Sequence, residues 1–141
     1  MTAKEYLKQI RSYSNLIKAK EFQLEELKSG QVYMGAIQYD KERVNSSTAA
    51  ESSYIRQSQR IIDLEIEIKH MIEDYATEKN RIIEEICSLG NPQLEEILMQ
   101  RYVYYESFET IASDMGYAYN YVINLHADAL ELFDNKIFGG K

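Results

Sequence analysis

Apolar residues recur along this chain at helical spacing, in two long runs followed by two short ones. From Ala3 to about Lys28, Tyr6, Ile10, Tyr13, Ile17, Leu24 and Leu27 return at alternating steps of four and three, with only Lys20 interrupting. This spacing predicts one long helix with a heptad seam. Leu7, Leu16 and Phe22 widen its apolar stripe, which implies contact with more than one neighbour. Residues 30–52 lose the periodicity and gain glycine, serine and threonine, so they predict a long connection with room for a short helical turn. A second long helix is predicted from about Ser53 to Ser88, with Ile61, Leu64, Ile68, Met71, Tyr75, Ile82 and Ile86 on one face. Its other face mixes Arg56, Arg60, Glu65, Glu67, Lys69, Glu73, Glu78, Lys79, Arg81 and Glu84, the pattern of a solvated surface.

Leu89-Gly90-Asn91-Pro92 marks the clearest boundary: a glycine stop, an Asn suited to an N-cap and a proline suited to a first helical turn. The helix that follows carries Leu94, Ile97, Leu98, Arg101, Tyr102 and Tyr105. Ser107 then caps the next one. Across Phe108 to Ala127, FETIASDMGYAYNYVINLHA, the small and apolar residues fall where two short helices crossing steeply need them. Ala112 suits the crowded crossing, and Gly116 suits the left-handed residue that ends the first helix. Ile111, Met115, Tyr117, Val122 and Leu125 supply the contacts between the pair. A helix-turn-helix is the reading this favours, with a plain helical hairpin closing a bundle as the alternative. The former commonly places its second helix in the major groove of DNA.

The predicted fold is therefore all-α: a long antiparallel, coiled-coil-like helical hairpin followed by a C-terminal three-helix helix-turn-helix module. Residues 1–90 form the first region, 91–135 the second and 136–141 a tail. A two-helix hairpin leaves apolar surface open, so a homo-oligomer is expected. Tyr6, Ile10, Tyr13, Ile17, Ile61, Leu64, Ile68 and Met71 are its expected contacts, unless they fill the seam between the long helices.

Composition agrees with an all-helical chain of 141 residues, with a single proline and few glycines. No run is apolar enough for a membrane span, and the charged N-terminus does not resemble a signal peptide. The single Cys87 rules out an internal disulfide, fits a reducing cytoplasm and is expected to be buried and inert.

Charge complicates the DNA reading. The net charge is −7, and residues 91–141 hold three basic side chains against eight acidic ones. The first twenty residues reverse the balance: Lys4, Lys8, Arg11, Lys18 and Lys20 face only Glu5. A positive strip lent by Lys4, Lys8 and Arg11 beside Tyr119 and Asn124 is what duplex binding needs.

Catalytic patterns do not emerge. There is no phosphate-binding glycine loop and no Gly-x-Ser-x-Gly elbow, so neither an enzyme nor a small-molecule substrate is expected. Glu67 and His70 have the spacing used in di-iron bundles, but those sites need a second such pair and two more carboxylates, so no metal or other cofactor is expected. His126 reads as a packing or capping histidine. The cluster Tyr102, Tyr104, Tyr105, Tyr117, Tyr119 and Tyr121 reads first as core in a chain without tryptophan, and second as a stacking platform for unpaired bases.

The runs Leu98 to Tyr102, Ser107 to Ala112 and Val122 to His126, with Ala129-Leu130, resemble region four of the sigma-70 factors. More closely, the chain resembles small phage and prophage proteins of Gram-positive bacteria that join a helical N-terminal half to a sigma-region-four-like end. Residues Asp40 to Ser46 and Ile61 to Glu65 are similar to that family's linker and second helix. The resemblance implies a transcription regulator in the bacterial cytoplasm, with duplex DNA as partner and RNA polymerase as a further one. It implies that Tyr119, Asn120, Ile123 and Asn124 face the major groove and that Ser107 approaches phosphates. Asn can read adenine bidentately, and Ile123 can touch a thymine methyl. Relatives place Arg or Lys on this helix, whereas here no basic residue lies between Ala118 and Asn135. The alternative is a non-enzymatic protein-interaction or assembly module with little DNA binding of its own.

Overall fold

A computed structural model of the chain describes residues 1–40 and 47–139, with side chains described for 1–30 and 51–139. Among these residues the chain is all-helical and has no strands. The elements are α1 (Ala3–Asp40), α2 (Ser47–Cys87), α3 (Pro92–Leu98) with a π-helical turn Met99–Val103, α4 (Phe108–Met115) and α5 (Tyr119–Ile137). None of the described helices is long and apolar enough to cross a membrane.

The long connection expected over 30–52 is much shorter, because α1 runs on to Asp40 and α2 begins at Ser47. Gly30, the predicted stop, lies inside α1. One glycine costs a helix only about 1 kcal/mol against alanine and does not end it. Residues 41–46, which carry most of the family-like linker, lie outside the described residues. The tail expected from 136 onward also changes: α5 continues to Ile137, and Phe138 packs edge-on to Tyr6 at 5.2 Å.

Two compact units divide the chain differently from the predicted boundary at 90: Met1–Ser14 with Tyr75–Lys141, and Asn15–Asp74. The first has one core drawn from all five helices. Leu7, Ile82, Ile86, Leu89, Ile97, Leu98, Ile111, Val122 and Phe133 are its most completely buried side chains. Local chemistry sets its helix starts. Asn91 Oδ1 accepts from Leu94 N at 3.3 Å with Pro92 in the first turn, and Glu95 Oε2 reaches back to accept from Gly90 N at 2.8 Å. Lys136 Nζ donates to the Leu89 carbonyl at 2.8 Å, which ties the last turn of α5 to the α2–α3 corner.

In the second unit, Ile17, Ile61, Leu64 and Ile68 are buried. Lys20 pairs with Glu67 at 3.2 Å and Lys28 with Glu65 at 3.3 Å, so later positions of α1 meet earlier positions of α2. Of the expected oligomer contacts, Tyr6 and Ile10 are buried in the first unit, and Ile17, Ile61, Leu64 and Ile68 in the second. Tyr13 and Met71 are half-buried. Leu16 and Phe22, expected to widen the buried stripe, are instead exposed, as are Ile55, Ile62, Ile66 and Ile72.

Candidate functional site

The candidate site is the pair α4 and α5 with the turn between them. Ser107 starts α4: its Oγ accepts from Thr110 N at 3.1 Å and donates to Thr110 Oγ1 at 2.9 Å. The hydroxyl expected near phosphates is therefore committed to capping. Gly116 ends α4 at φ 74°, the left-handed conformation that glycine adopts without steric cost. Its N–H donates to the Ser113 carbonyl and that of Tyr117 to the Ala112 carbonyl, a Schellman closure. Ile111, Ala112, Val122 and Leu125 are buried, and Met115 is half-buried. Tyr117 departs from the expected motif core. It is 38% exposed, stands edge-on to Tyr121 at 5.0 Å, and its hydroxyl accepts from Gln93 Nε2 at 2.8 Å.

On α5 the expected reading residues share one face, since 119 and 123, and 120 and 124, are four apart. Tyr119, Asn120 and Asn124 are exposed, and Ile123 is half-buried at the edge of the core. Ala118 holds the N-cap position without a side-chain hydrogen bond. Asp114, Asp128, Glu131 and Asp134 are exposed as well. The tyrosine cluster divides: Tyr102 is buried and Tyr105 half-buried, whereas Tyr104, Tyr117, Tyr119 and Tyr121 lie on the surface. Cys87, expected to be buried, is exposed, because a helix that turns Ile82 and Ile86 inward directs the next position outward.

Behind the exposed face lies a buried polar pair. His126 Nε2 and the Tyr102 hydroxyl are 2.7 Å apart, with their rings stacked at 5.6 Å, and Phe108 meets the imidazole edge-on at 4.8 Å. Arg101 lies over the Phe108 ring at 4.1 Å and donates to the Glu106 carbonyl at 3.0 Å. Burial, then the charges of Arg101 and Lys4, push the His126 pKa down to about 4. Burial pushes that of Tyr102 up to about 12. At neutral pH the imidazole is therefore uncharged, and it shares a hydrogen bond with the Tyr102 hydroxyl.

Two features here had no signal in the sequence. Tyr105 adopts φ 60°, a left-handed conformation unusual for a bulky residue; its hydroxyl lies 3.2 Å from that of Tyr75, and the Arg11 guanidinium is 5.4 Å from its ring centre. The electrostatic reach of Lys4 to His126 joins residues at opposite ends of the chain. As for metal ligands, Glu67 pairs with Lys20, and His70 lies 3.5 Å from Glu73. No group of three or more potential ligands occurs among the described residues. Comparison with protein-family models, curated proteins and solved structures found no match.

Proposed function

We propose that the chain is a non-enzymatic, phage-type transcription regulator that reads duplex DNA with α5 as the second helix of a helix-turn-helix. In this reading α1 and α2 form the long hairpin, and α3 to α5 form the module it carries. The observation that supports it most is one helix divided cleanly in two. Val122, Leu125 and Ala129 are buried under the glycine-closed α4, while Tyr119, Asn120 and Asn124 stand exposed on the outer face of the first turns. Two amides one turn apart suit adenine edges in a major groove.

Asn120→Ala and Asn124→Ala are each expected to weaken binding to a cognate site by about 5- to 150-fold, equivalent to roughly 1 to 3 kcal/mol. Both residues are exposed, so the melting temperature should hold. Titration of promoter fragments against random competitor measures the effect. If both variants bind like wild type, α5 does not read bases through this face.

RNA polymerase remains a partner in this proposal, and the exposed acids of α4 and α5 favour protein docking as the second reading. A stable polymerase complex, with no duplex binding at low salt, would select it. A second copy of the chain is also proposed, through residues other than those expected. Ile55, Ile62 and Ile66 are 65%, 48% and 51% exposed, on the side of α2 opposite the buried Ile61, Leu64 and Ile68. Sedimentation should show wild type associating with concentration and Ile62→Glu/Ile66→Glu remaining monomeric. A compact wild-type monomer at high concentration would remove the second copy.

A further inference from the structure

The cations of the Met1–Ser14 and Tyr75–Lys141 unit fall into two groups. Most are engaged. Lys136 holds the Leu89 carbonyl, Arg81 pairs with Glu78, Lys79 lies over Tyr75 and Arg101 lies over Phe108. Lys4 and Lys8 are exposed and form none of the ion pairs found among the described residues. With Arg11 they occupy positions i, i+4 and i+7 of α1, which places all three on one helical face. That face has a fixed position. Leu7, in the middle of the stretch, is fully buried, and the Tyr6 ring lies 5.9 Å from that of Phe133 on α5, tilted by 35°. Arg11 lies over Tyr105, two residues before the Ser107 cap of α4. At the other end of the row, the charge of Lys4 is felt by His126 on α5. The row thus borders the α4–α5 pair, whose second helix has no basic residue before Lys136.

We propose that Lys4, Lys8 and Arg11 form a phosphate-binding row with which α1 grips the backbone of the duplex that α5 reads. This rests on the DNA reading above and adds the electrostatic part that α5 lacks. Seven residues of helix cover about 10 Å, close to the rise of three nucleotide steps of about 3.4 Å each measured along the duplex axis. The two lysines act as mobile point charges, and the Tyr105 ring holds the Arg11 guanidinium in place. Contacts of this kind carry affinity and position but no sequence preference.

The test uses the full chain and a fluorescein-labelled, mixed-sequence 30-base-pair DNA duplex titrated from about 50 to 300 mM salt. Lys4→Gln/Lys8→Gln keeps Arg11 on its ring and alters only exposed side chains. The slope of log affinity against log salt should become shallower by about 2, and affinity near 50 mM should fall on the order of 100-fold. Lys69→Gln, a cation of the other unit, should leave both unchanged. A double variant with the wild-type slope overturns the row and leaves the reading by α5 standing. Wild type that binds neither this duplex nor promoter fragments at 50 mM overturns both. Anionic phospholipid vesicles serve as a separate arm. Vesicle binding that depends on Lys4 and Lys8, with an unmoved duplex slope, assigns the row to a lipid surface and overturns the proposal.

Discussion

Phe133→Ala is expected to destabilise the first unit by about 3 to 5 kcal/mol, the range for removing a fully buried aromatic ring. Phe133 is 0% exposed, and its ring lies within 6.1 Å of those of Tyr6 and Phe138. Those rings come from the first turns of α1 and the end of α5, so local collapse cannot refill the space without moving both. In urea, with a dependence of about 2 kcal/mol per molar, the midpoint should fall by roughly 1.5 to 2.5 M. Phe138→Ala makes the comparison, because a residue 42% exposed should cost markedly less. Near-equal small shifts for the two variants would mean that Phe133 does not anchor this core.

The second expectation concerns acid. His126 has its pKa lowered to about 4, chiefly by burial, against an ordinary value of 6.5 in the unfolded chain. Between these values the unfolded state binds the extra proton, so stability rises with pH across the window. The contribution is complete above about pH 6.5 and is lost as pH falls towards 4. The reading is a difference between variants, which isolates this one imidazole. His126→Gln keeps a side chain able to hydrogen-bond the Tyr102 hydroxyl, as donor or acceptor, but cannot be protonated. Relative to wild type, its melting temperature should fall less between pH 7 and pH 4.5, by about 2 to 5 °C. That corresponds to roughly 1 kcal/mol after allowance for partial solvation of the ring. Equal losses in the two proteins would show that His126 does not carry the acid response.

What could be read from the sequence is what nearest neighbours determine. Asn91-Pro92, Ser107 and Gly116 act through hydrogen bonds and backbone preferences spanning only a few residues, and each lies at the helix end its chemistry implies. Ile111, Ala112, Val122 and Leu125 were legible for the same reason, since helical period alone turns them inward. The glycines and serines of 30–52 misled because they weaken a helix without ending one, and α1 and α2 both run into that stretch. Tyr117 has the right spacing for the motif core, yet Tyr121 and Gln93 hold it at the surface. The Tyr102–His126 bond and the place of Arg11 on Tyr105 were beyond reach, because each partner is apolar or charged in an unremarkable local pattern and they meet only through packing.

The division of the first unit between residues 1–14 and 75–141 has a consequence for how the protein is made. Ala3, Tyr6, Leu7 and Ile10 leave the ribosome long before residues 75–141, but the aromatic ring that covers Tyr6 belongs to Phe133. At about 5 to 20 residues per second, roughly 6 to 25 s separate Leu7 from Phe133 during synthesis. Throughout that interval the start of α1 can meet the end of α2 but lacks the cover that the last turns of α5 supply. The last turns of α5 therefore complete the cover over Tyr6, and a ribosome stalled before them leaves that part of the apolar face of α1 open for chaperones to hold.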